Sequence, residues 1–127
     1  MLRKYSYAYF PPIPVLDISF SAPEQEAWQG PHEAFIDSGA DFTIVPAKLL
    51  DIQNLSVVGT ATLRSQWEDR IAVNIYEVDL KIGKSVLPYV DIAADPQGEE
   101  ILLGRNVLNE LDLRLEGPRL RTHLLEQ

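Results

Sequence analysis

The chain has 127 residues, which is enough for one compact domain with one hydrophobic core and too few for two ordinary domains. Its net charge of -8 and pI near 4.6 argue against a nucleic-acid partner, because no extended basic surface could displace counterions from phosphates. The absence of cysteine excludes disulfides, thiolate nucleophiles and cysteine-ligated metal sites, and it suits a reducing compartment.

The N-terminal segment MLRKYSYAYFPPIPVL lacks the continuous apolar core of a secretion signal. The apolar runs elsewhere are far shorter than the roughly 20 residues that cross a bilayer. We therefore expect a soluble, cytoplasmic protein that does not bind a membrane. The initial methionine favours a complete chain, while excision from a longer precursor stays open.

The first predicted strand is PVLDISFSA, where alternation places Leu16, Ile18 and Phe20 on one face and Val15 on the other. The segment SAPEQEAWQGPHE is polar and rich in proline and glycine, which predicts the loop of a wide hairpin leading into the strand AFI. We expect Trp28 in this loop to pack as a lid over the protein.

A short strand, FTIVP, is followed by AKLLDIQNL, which suits either one helical turn or an irregular connection. From Leu55 to Leu80 the pattern predicts a long hairpin, LSVVGTATL and IAVNIYEVDLKIG, joined by the polar stretch RSQWEDR. The apolar phase changes between Ile75 and Tyr76, which predicts a bulge. We expect this hairpin to project beyond the core.

The remaining chain alternates short strands with turns. SVLPYVDIA is a predicted strand, ADPQGEE a turn, and ILLG a buried strand closed by Gly104. RNVLNEL has apolar residues at helical spacing and predicts a short helix, and DLRLEGPRLRTHLL predicts two strands around the turn EGP. This pattern of eight or nine strands and one helix predicts an all-β fold of closed, barrel-like form.

The stretch EAFIDSGADFTIVP raises the question of function, because a buried strand ends in an acid, a hydroxyl and a glycine. A catalytic carboxylate needs a rigid strand that places it and a glycine that lets backbone N–H groups approach its oxygens. Aspartate, serine and glycine also dominate ordinary tight turns. The tripeptide at Asp37 therefore leaves a catalytic acid and a simple turn both open.

AFIDSGADFTIVP resembles the active-site segment of the retropepsin-like aspartic proteases, and the later ILLGRNVLNEL resembles the second signature of that family. The resemblance runs from about Pro14 to Leu120 and is greatest to the small bacterial members, which are similar to retroviral proteases. It implies a single-lobe closed β-barrel with one short C-terminal helix. It also implies one domain over residues 1–127, with a flap hairpin at about 57–80.

The resemblance assigns roles to the motif. Asp37 matches the catalytic aspartate, Ser38 the position whose hydroxyl bonds across the two active-site loops, and Gly39 the glycine of the tight loop. Ala40 matches a residue beside the substrate. Asp41 matches an acid that holds the substrate backbone and pairs with the arginine at Arg105, and a purely structural ion pair is an equal alternative.

Further residues are assigned to support and to the flap. Thr43 and Asn106, with Arg105, are expected to support the site. The expected flap segment runs from Gly59 to Asp69, and its candidate substrate-binding residues are Gly59, Thr60 and Trp67. Trp67 suits either covering the substrate or packing on the base of the flap. The tip RSQWED departs from the glycine-rich tip of the viral proteases.

The resemblance implies peptide-bond hydrolysis by two aspartates that share one proton, because like charges about 3 Å apart cannot both ionise cheaply. Asp37 lies in the only Asp-Ser/Thr-Gly motif, so the second acid is expected from a second copy in a two-fold homodimer. The implied aspartic endopeptidase needs no metal or cofactor, takes a peptide or protein substrate and has an acidic to mildly acidic optimum. The alternative is a catalytically silent module that binds peptides or dimerises.

The two histidines, His32 and His123, suggest other chemistry only weakly. A triad of His32 with Ser38 would require an oxyanion-loop glycine pattern that the sequence lacks. The two histidines are far apart and show no pairing at ligand spacing, which argues against a metal site.

Overall fold

A computed structural model describes residues 1–50, 55–64 and 69–126. Within these ranges the chain forms ten strands, two one-turn α-helices and one 3₁₀ turn. The elements are β1 (Leu2–Lys4), β2 (Val15–Ser21), β3 (Gln29–Ile36), β4 (Thr43–Pro46), α1 (Ala47–Leu50), β5 (Val57–Arg64), β6 (Arg70–Ile82), β7 (Ser85–Asp95), β8 (Ile101–Leu103), α2 (Arg105–Leu108), β9 (Leu113–Glu116), the 3₁₀ turn (Gly117–Arg119) and β10 (Arg121–Leu124). None of the helices in the described ranges has the length and apolar character that a membrane span requires.

Six strands close into a barrel in the order β2-β3-β8-β4-β7-β6. The ring closes because β6 pairs back with β2, from Ile18 opposite Ile82 to Ser21 opposite Asp79. β5 pairs with the other half of β6 and lies outside the ring. Closure satisfies the backbone hydrogen bonds of strands that would otherwise be open edges. The predicted all-β class and closed barrel are confirmed.

The barrel interior is filled mainly by aliphatic side chains. Leu16, Ile18 and Phe20 on β2 are each exposed by no more than 1 %, as their alternation predicts. Burying each such side chain stabilises the fold by about 1.5–3 kcal/mol. Val15, expected on the outer face of β2, is also completely buried. The second face of β2 is therefore partly covered as well, and β1 is one of the elements that pack against this strand.

The connection between β2 and β3 is shorter than predicted. The sequence pattern predicts a loop that ends at Glu33. In the structure β3 already begins at Gln29, which pairs with Phe20. An extra residue in β3 interrupts the ladder there, and a bulge is where a sheet tolerates the proline of Gly30-Pro31. Trp28 lies just before this strand, with the Lys81 ammonium 5.7 Å from its ring centroid.

The predicted long hairpin is formed by β5 and β6, and its turn lies outside the described residues. None of the described residues of β5 is buried, so the hairpin extends away from the core as expected. The predicted irregularity between Ile75 and Tyr76 is present, although the extra residue is Val58 on the facing strand. Beyond this point β6 leaves β5 and pairs with β2, which explains the change in apolar phase.

The one-turn helices α1 and α2 follow β4 and β8. The helix predicted at RNVLNEL is present as α2, with Val107 buried in the core. The segment AKLLDIQNL, for which both a helical turn and an irregular connection were open, begins as α1, and its residues 51–54 lie outside the described ranges.

The chain termini form a second, three-stranded sheet in the order β1-β10-β9. β9 and β10 are the two strands predicted around EGP. β1 was not predicted, because three residues are too few to show an alternating pattern. Its position depends on pairing with β10, on hydrogen bonding between Met1 and Leu124, and on Arg3, which binds Asp17 at 3.0 Å and Glu33 at 2.7 Å.

Candidate active site

Asp37 lies directly after β3, at the point where this strand and the parallel strand β8 leave the barrel together. Its backbone N–H donates to the Leu103 carbonyl at 3.0 Å, which ties the start of the loop to the core. Its Oδ1 accepts the backbone N–H of Gly39 at 3.0 Å. The side chain is half-buried, and Oδ2 accepts no hydrogen bond from the described residues. The carboxylate is therefore fixed through one oxygen, which leaves the other for a ligand.

The loop after Asp37 is joined to the start of α2 by backbone hydrogen bonds. The Ala40 carbonyl accepts the Arg105 N–H at 2.8 Å, and the Asp41 carbonyl accepts the Asn106 N–H at 3.3 Å. The Arg105 side chain adds two contacts, since Nη1 donates to the Ser38 carbonyl at 2.8 Å and Nη2 forms an ion pair with Asp41. The aspartate loop and the helix therefore form one rigid unit.

Thr43 and Asn106 form the buried part of this unit. Asn106 Oδ1 accepts both the backbone N–H and the hydroxyl of Thr43, each at 2.9 Å, and its Nδ2 donates to the Asp91 carbonyl at 2.8 Å. The Thr43 hydroxyl in turn accepts the Gly104 N–H at 3.1 Å. The Thr43 residue is completely buried, so these bonds are shielded from water.

Gly104 is a site residue that the sequence reasoning did not include. A β-carbon there would overlap the Phe42 carbonyl and lie 2.9 Å from the Thr43 nitrogen, so only glycine permits the two loops to approach so closely. Asp91, whose carbonyl binds Asn106, was also missed, because a backbone contact leaves no signal in the side-chain pattern. The sequence does contain a signal for Gly104, because a glycine between a buried strand and the start of a helix indicates a close approach of two segments.

A cleft of about 530 Å³ lies between the β5–β6 hairpin and the turn after β7, and Asp37 is not among its described lining residues. Ile44 of β4 and Leu102 of β8 contribute apolar side chains to it, next to Thr43 and Leu103 of the loop framework. The hairpin contributes Leu63, Arg64 and Ile71 on one side. The turn after β7 contributes the other side, with the lining residues Asp95, Gln97, Gly98, Glu99 and Glu100. The cleft is thus apolar along its strands and charged along its rims.

The structure brings together most of the predicted site residues. Those in one hydrogen-bonded unit are Asp37, Ser38, Gly39, Ala40, Asp41, Thr43, Arg105 and Asn106. Gly59 and Thr60 lie on β5, and the hydrogen bonds of the described residues do not join them to this unit. Trp67 lies outside the described residues. The Ser38 hydroxyl is exposed on the surface of a single chain.

The two histidines are placed away from the aspartate loop. His32 lies within β3, where its ring stacks on Phe20 with centroids 5.3 Å apart. His123 lies on β10, 3.4 Å from a Glu116 carboxylate oxygen. Across residues 1–50, 55–64 and 69–126 no group of three or more His, Asp or Glu side chains is arranged to hold a metal ion.

Comparisons with solved structures identify the fold. A retropepsin-like aspartic protease from Rickettsia conorii superposes with a TM-score of 0.58 over 98% of this chain and 88% of that one, at 14% identity. The Simian Foamy Virus (mac) protease gives 0.52 over 75% of this chain and 91% of that chain, at 19% identity. The foamy viral protease-reverse transcriptase gives 0.55 at 13% identity, over 88% of this chain and 13% of that one.

The chain thus spans a small part of that viral polypeptide and most of the two single proteases. No protein-family model matches the sequence, and no curated protein sequence matches it. The retroviral protease-like domain of Ddi1 from Leishmania major also superposes, with a TM-score of 0.50 at 13% identity over 90% of this chain and 96% of that one. The chain has the fold of the retropepsin-like aspartic proteases.

Proposed function

We propose that the protein is an aspartic endopeptidase whose active site forms between two copies of the chain, with Asp37 as the catalytic residue of each. The observation that carries the proposal is the fixed carboxylate at the end of β3. One oxygen of Asp37 is held by Gly39, and the loop is held to α2 by Arg105 and Asn106. Such preorganisation is what a catalytic acid requires.

In the part of the chain that the structure describes, the aspartate loop offers one such carboxylate. The nearby Asp41 is engaged by the Arg105 guanidinium, so it is not available as a proton-sharing partner. Hydrolysis by an aspartate pair requires two acids, one ionised and one protonated. A two-fold homodimer would supply the second acid as Asp37 of the partner copy. The exposed loop of Ser38 and Gly39 is free to meet its counterpart in such a dimer.

In the proposed reaction the ionised aspartate accepts a proton from a water molecule, which attacks the carbonyl carbon of the scissile peptide bond. The protonated aspartate donates its proton to the carbonyl oxygen, giving a neutral tetrahedral intermediate. Proton transfer to the leaving nitrogen then accompanies cleavage of the C–N bond. The cleft between the hairpin and the turn after β7 would hold the extended peptide, with Ile44 and Leu102 contacting its apolar side chains.

The test is digestion of a mixed peptide library from pH 3 to 8 by the wild type and by Asp37→Asn. Asp112→Asn is the matched control, because Asp112 is exposed and lies after α2, away from the loop. We expect cleavage by the wild type and the control and none by Asp37→Asn. A library left uncut by all three proteins would refute the endopeptidase and favour a peptide-binding module.

Mixing variants tests the shared pair. A nine-fold excess of Asp37→Asn over wild type should reduce wild-type activity to about one tenth, because random pairing leaves few wild-type dimers. The same excess of Asp112→Asn should not reduce activity. Activity in the Asp37→Asn mixture that equals the activity of the same amount of wild type alone, with wild type sedimenting as a monomer, would refute the shared site.

A further inference from the structure

A loop near the N-terminus reaches the barrel close to the cleft. The loop spans residues 7–12 and is closed at its base by two backbone hydrogen bonds between Ser6 and Ile13, at 2.9 and 3.0 Å. Tyr7 and Phe10 on this loop are 67% and 98% exposed. Tyr9 behaves differently, because its side chain makes two specific contacts with the barrel.

The first contact is with an aromatic ring. Tyr9 and Phe35 meet edge to face, with centroids 5.1 Å apart and ring planes at 90°. Phe35 lies on β3 between Ala34 and Ile36, both of which pack into the barrel core, so its side chain projects from the outer face. It is nevertheless only 8% exposed. The Tyr9 ring is therefore part of the cover over an apolar side chain two residues before Asp37.

The second contact is with the cleft itself. The Tyr9 hydroxyl donates a hydrogen bond to Glu100, which lines the cleft. This bond to the Glu100 carboxylate raises the pKa of Tyr9, so the hydroxyl keeps the proton that it donates. One oxygen of the Glu100 carboxylate is therefore held by Tyr9.

The strand register places the Tyr9 contact at the end of the cleft. Phe35 is paired with Leu102 on β8, and Leu102 is paired with Ile44 on β4. Paired residues on neighbouring strands project from the same face of a sheet. Since Leu102 and Ile44 line the cleft, Phe35 continues the same apolar row, and Tyr9 covers its last member.

The other acids of the cleft are also engaged within the chain. Glu99 binds the Lys48 ammonium at 2.9 Å, and Asp95 accepts the Gln97 N–H at 2.9 Å. Arg64 is the basic residue among those that line the cleft. Releasing the Glu100 carboxylate from Tyr9 would therefore leave it available to bind a positively charged peptide side chain.

We propose that Tyr9 is a specificity-determining residue, which closes one end of the cleft with its ring and restrains Glu100 with its hydroxyl. It thereby limits the size and the positive charge of the peptide side chain accepted there. This inference rests on the proposed function for the nature of the ligand, an extended peptide. The two parts of the side chain make separable contributions, so two substitutions distinguish them.

The experiment compares cleavage preferences of wild type, Tyr9→Phe and Tyr9→Ala on a library of peptides randomised around the scissile bond. Tyr9→Phe keeps the ring and releases Glu100, so cleavage of peptides with lysine or arginine at one position should rise roughly two- to five-fold relative to apolar ones. Tyr9→Ala also opens the end of the row, so large aromatic side chains should gain roughly ten-fold at that position. Tyr7→Ala is the control, because Tyr7 is an exposed tyrosine of the same loop.

The readout is repeated as binding, with the same library selected on Asp37→Asn proteins that carry each Tyr9 change. Preferences that shift in the Tyr9 variants and not in Tyr7→Ala support the inference. Unchanged preferences in both Tyr9 variants overturn it, even if the wild type cleaves peptides.

If no protein cleaves any peptide, the proposed endopeptidase is refuted, and the binding profiles still decide the role of Tyr9. If no protein cleaves and none retains a peptide, both proposals are overturned. Thermal unfolding shows whether Tyr9→Ala is folded. If it is not, the preferences of Tyr9→Phe alone test the inference.

Discussion

Removing the buried hydroxyl of Thr43 tests whether its hydrogen bonds hold the aspartate loop in place. The hydroxyl accepts the Gly104 N–H at 3.1 Å and donates to Asn106 Oδ1 at 2.9 Å, and the residue is completely buried. Thr43→Val replaces the hydroxyl with a methyl group of similar volume. The substitution therefore removes both hydrogen bonds without opening a cavity.

The expected loss of stability follows from these contacts. The Gly104 N–H would be left buried without a partner, which costs about 1–3 kcal/mol, and the lost bond to Asn106 adds about 1 kcal/mol. Asn106 Oδ1 keeps the Thr43 backbone N–H, so it is still partly satisfied. The total loss in the free energy of unfolding is about 2–4 kcal/mol. For a domain of this size it corresponds to a decrease in Tm of about 6–20 °C.

The assay is urea and thermal unfolding at one fixed protein concentration, because dimer formation would make stability depend on concentration. Thr43→Ser is the matched control, since it keeps the hydroxyl and removes one methyl group, at a cost of about 1 kcal/mol. We expect Thr43→Val to be clearly less stable than Thr43→Ser. Equal stability of the two variants would show that the hydroxyl does not hold the loops together.

Two further predictions concern the terminal sheet. Thr122 is completely buried and its hydroxyl has no partner among the described residues, so Thr122→Val should raise the free energy of unfolding by about 1 kcal/mol in urea titrations, and a loss of stability would contradict this reasoning. The hydrogen bond from Arg121 lowers the pKa of Glu116 below its ordinary value of 4.5, with a smaller contribution from His123. Glu116 therefore stabilises the fold above that value, and this contribution is lost as the pH falls through the lowered pKa. In Tm measurements from pH 3 to 7, Glu116→Gln should be less stable than wild type near pH 7, with the difference shrinking toward pH 3. A constant difference across this range would argue against the linkage.

Much of the fold could be predicted from the sequence, since local patterns report local structure. The alternation in β2 identified Leu16, Ile18 and Phe20 as core residues, and all three are buried. The phase change at Ile75 and Tyr76 marked the place where β6 exchanges one partner strand for another. The loop before β3 was predicted too long, because the pattern at Gly30-Pro31 resembles a turn and gives no sign of the facing strand that holds it in a bulge.

The sequence by itself determined that this is a small, acidic, cysteine-free β-protein with an Asp-Ser-Gly loop after a buried strand, because composition and alternation are properties of neighbouring residues. The cytoplasmic location and the catalytic roles stay predictions. Only the tertiary structure decided that Gly104 must lack a side chain, that Asn106 bridges Thr43 and Asp91, and that Tyr9 reaches Glu100. These contacts join residues far apart in the chain, and they depend on barrel closure, which brings together loops that no local pattern relates.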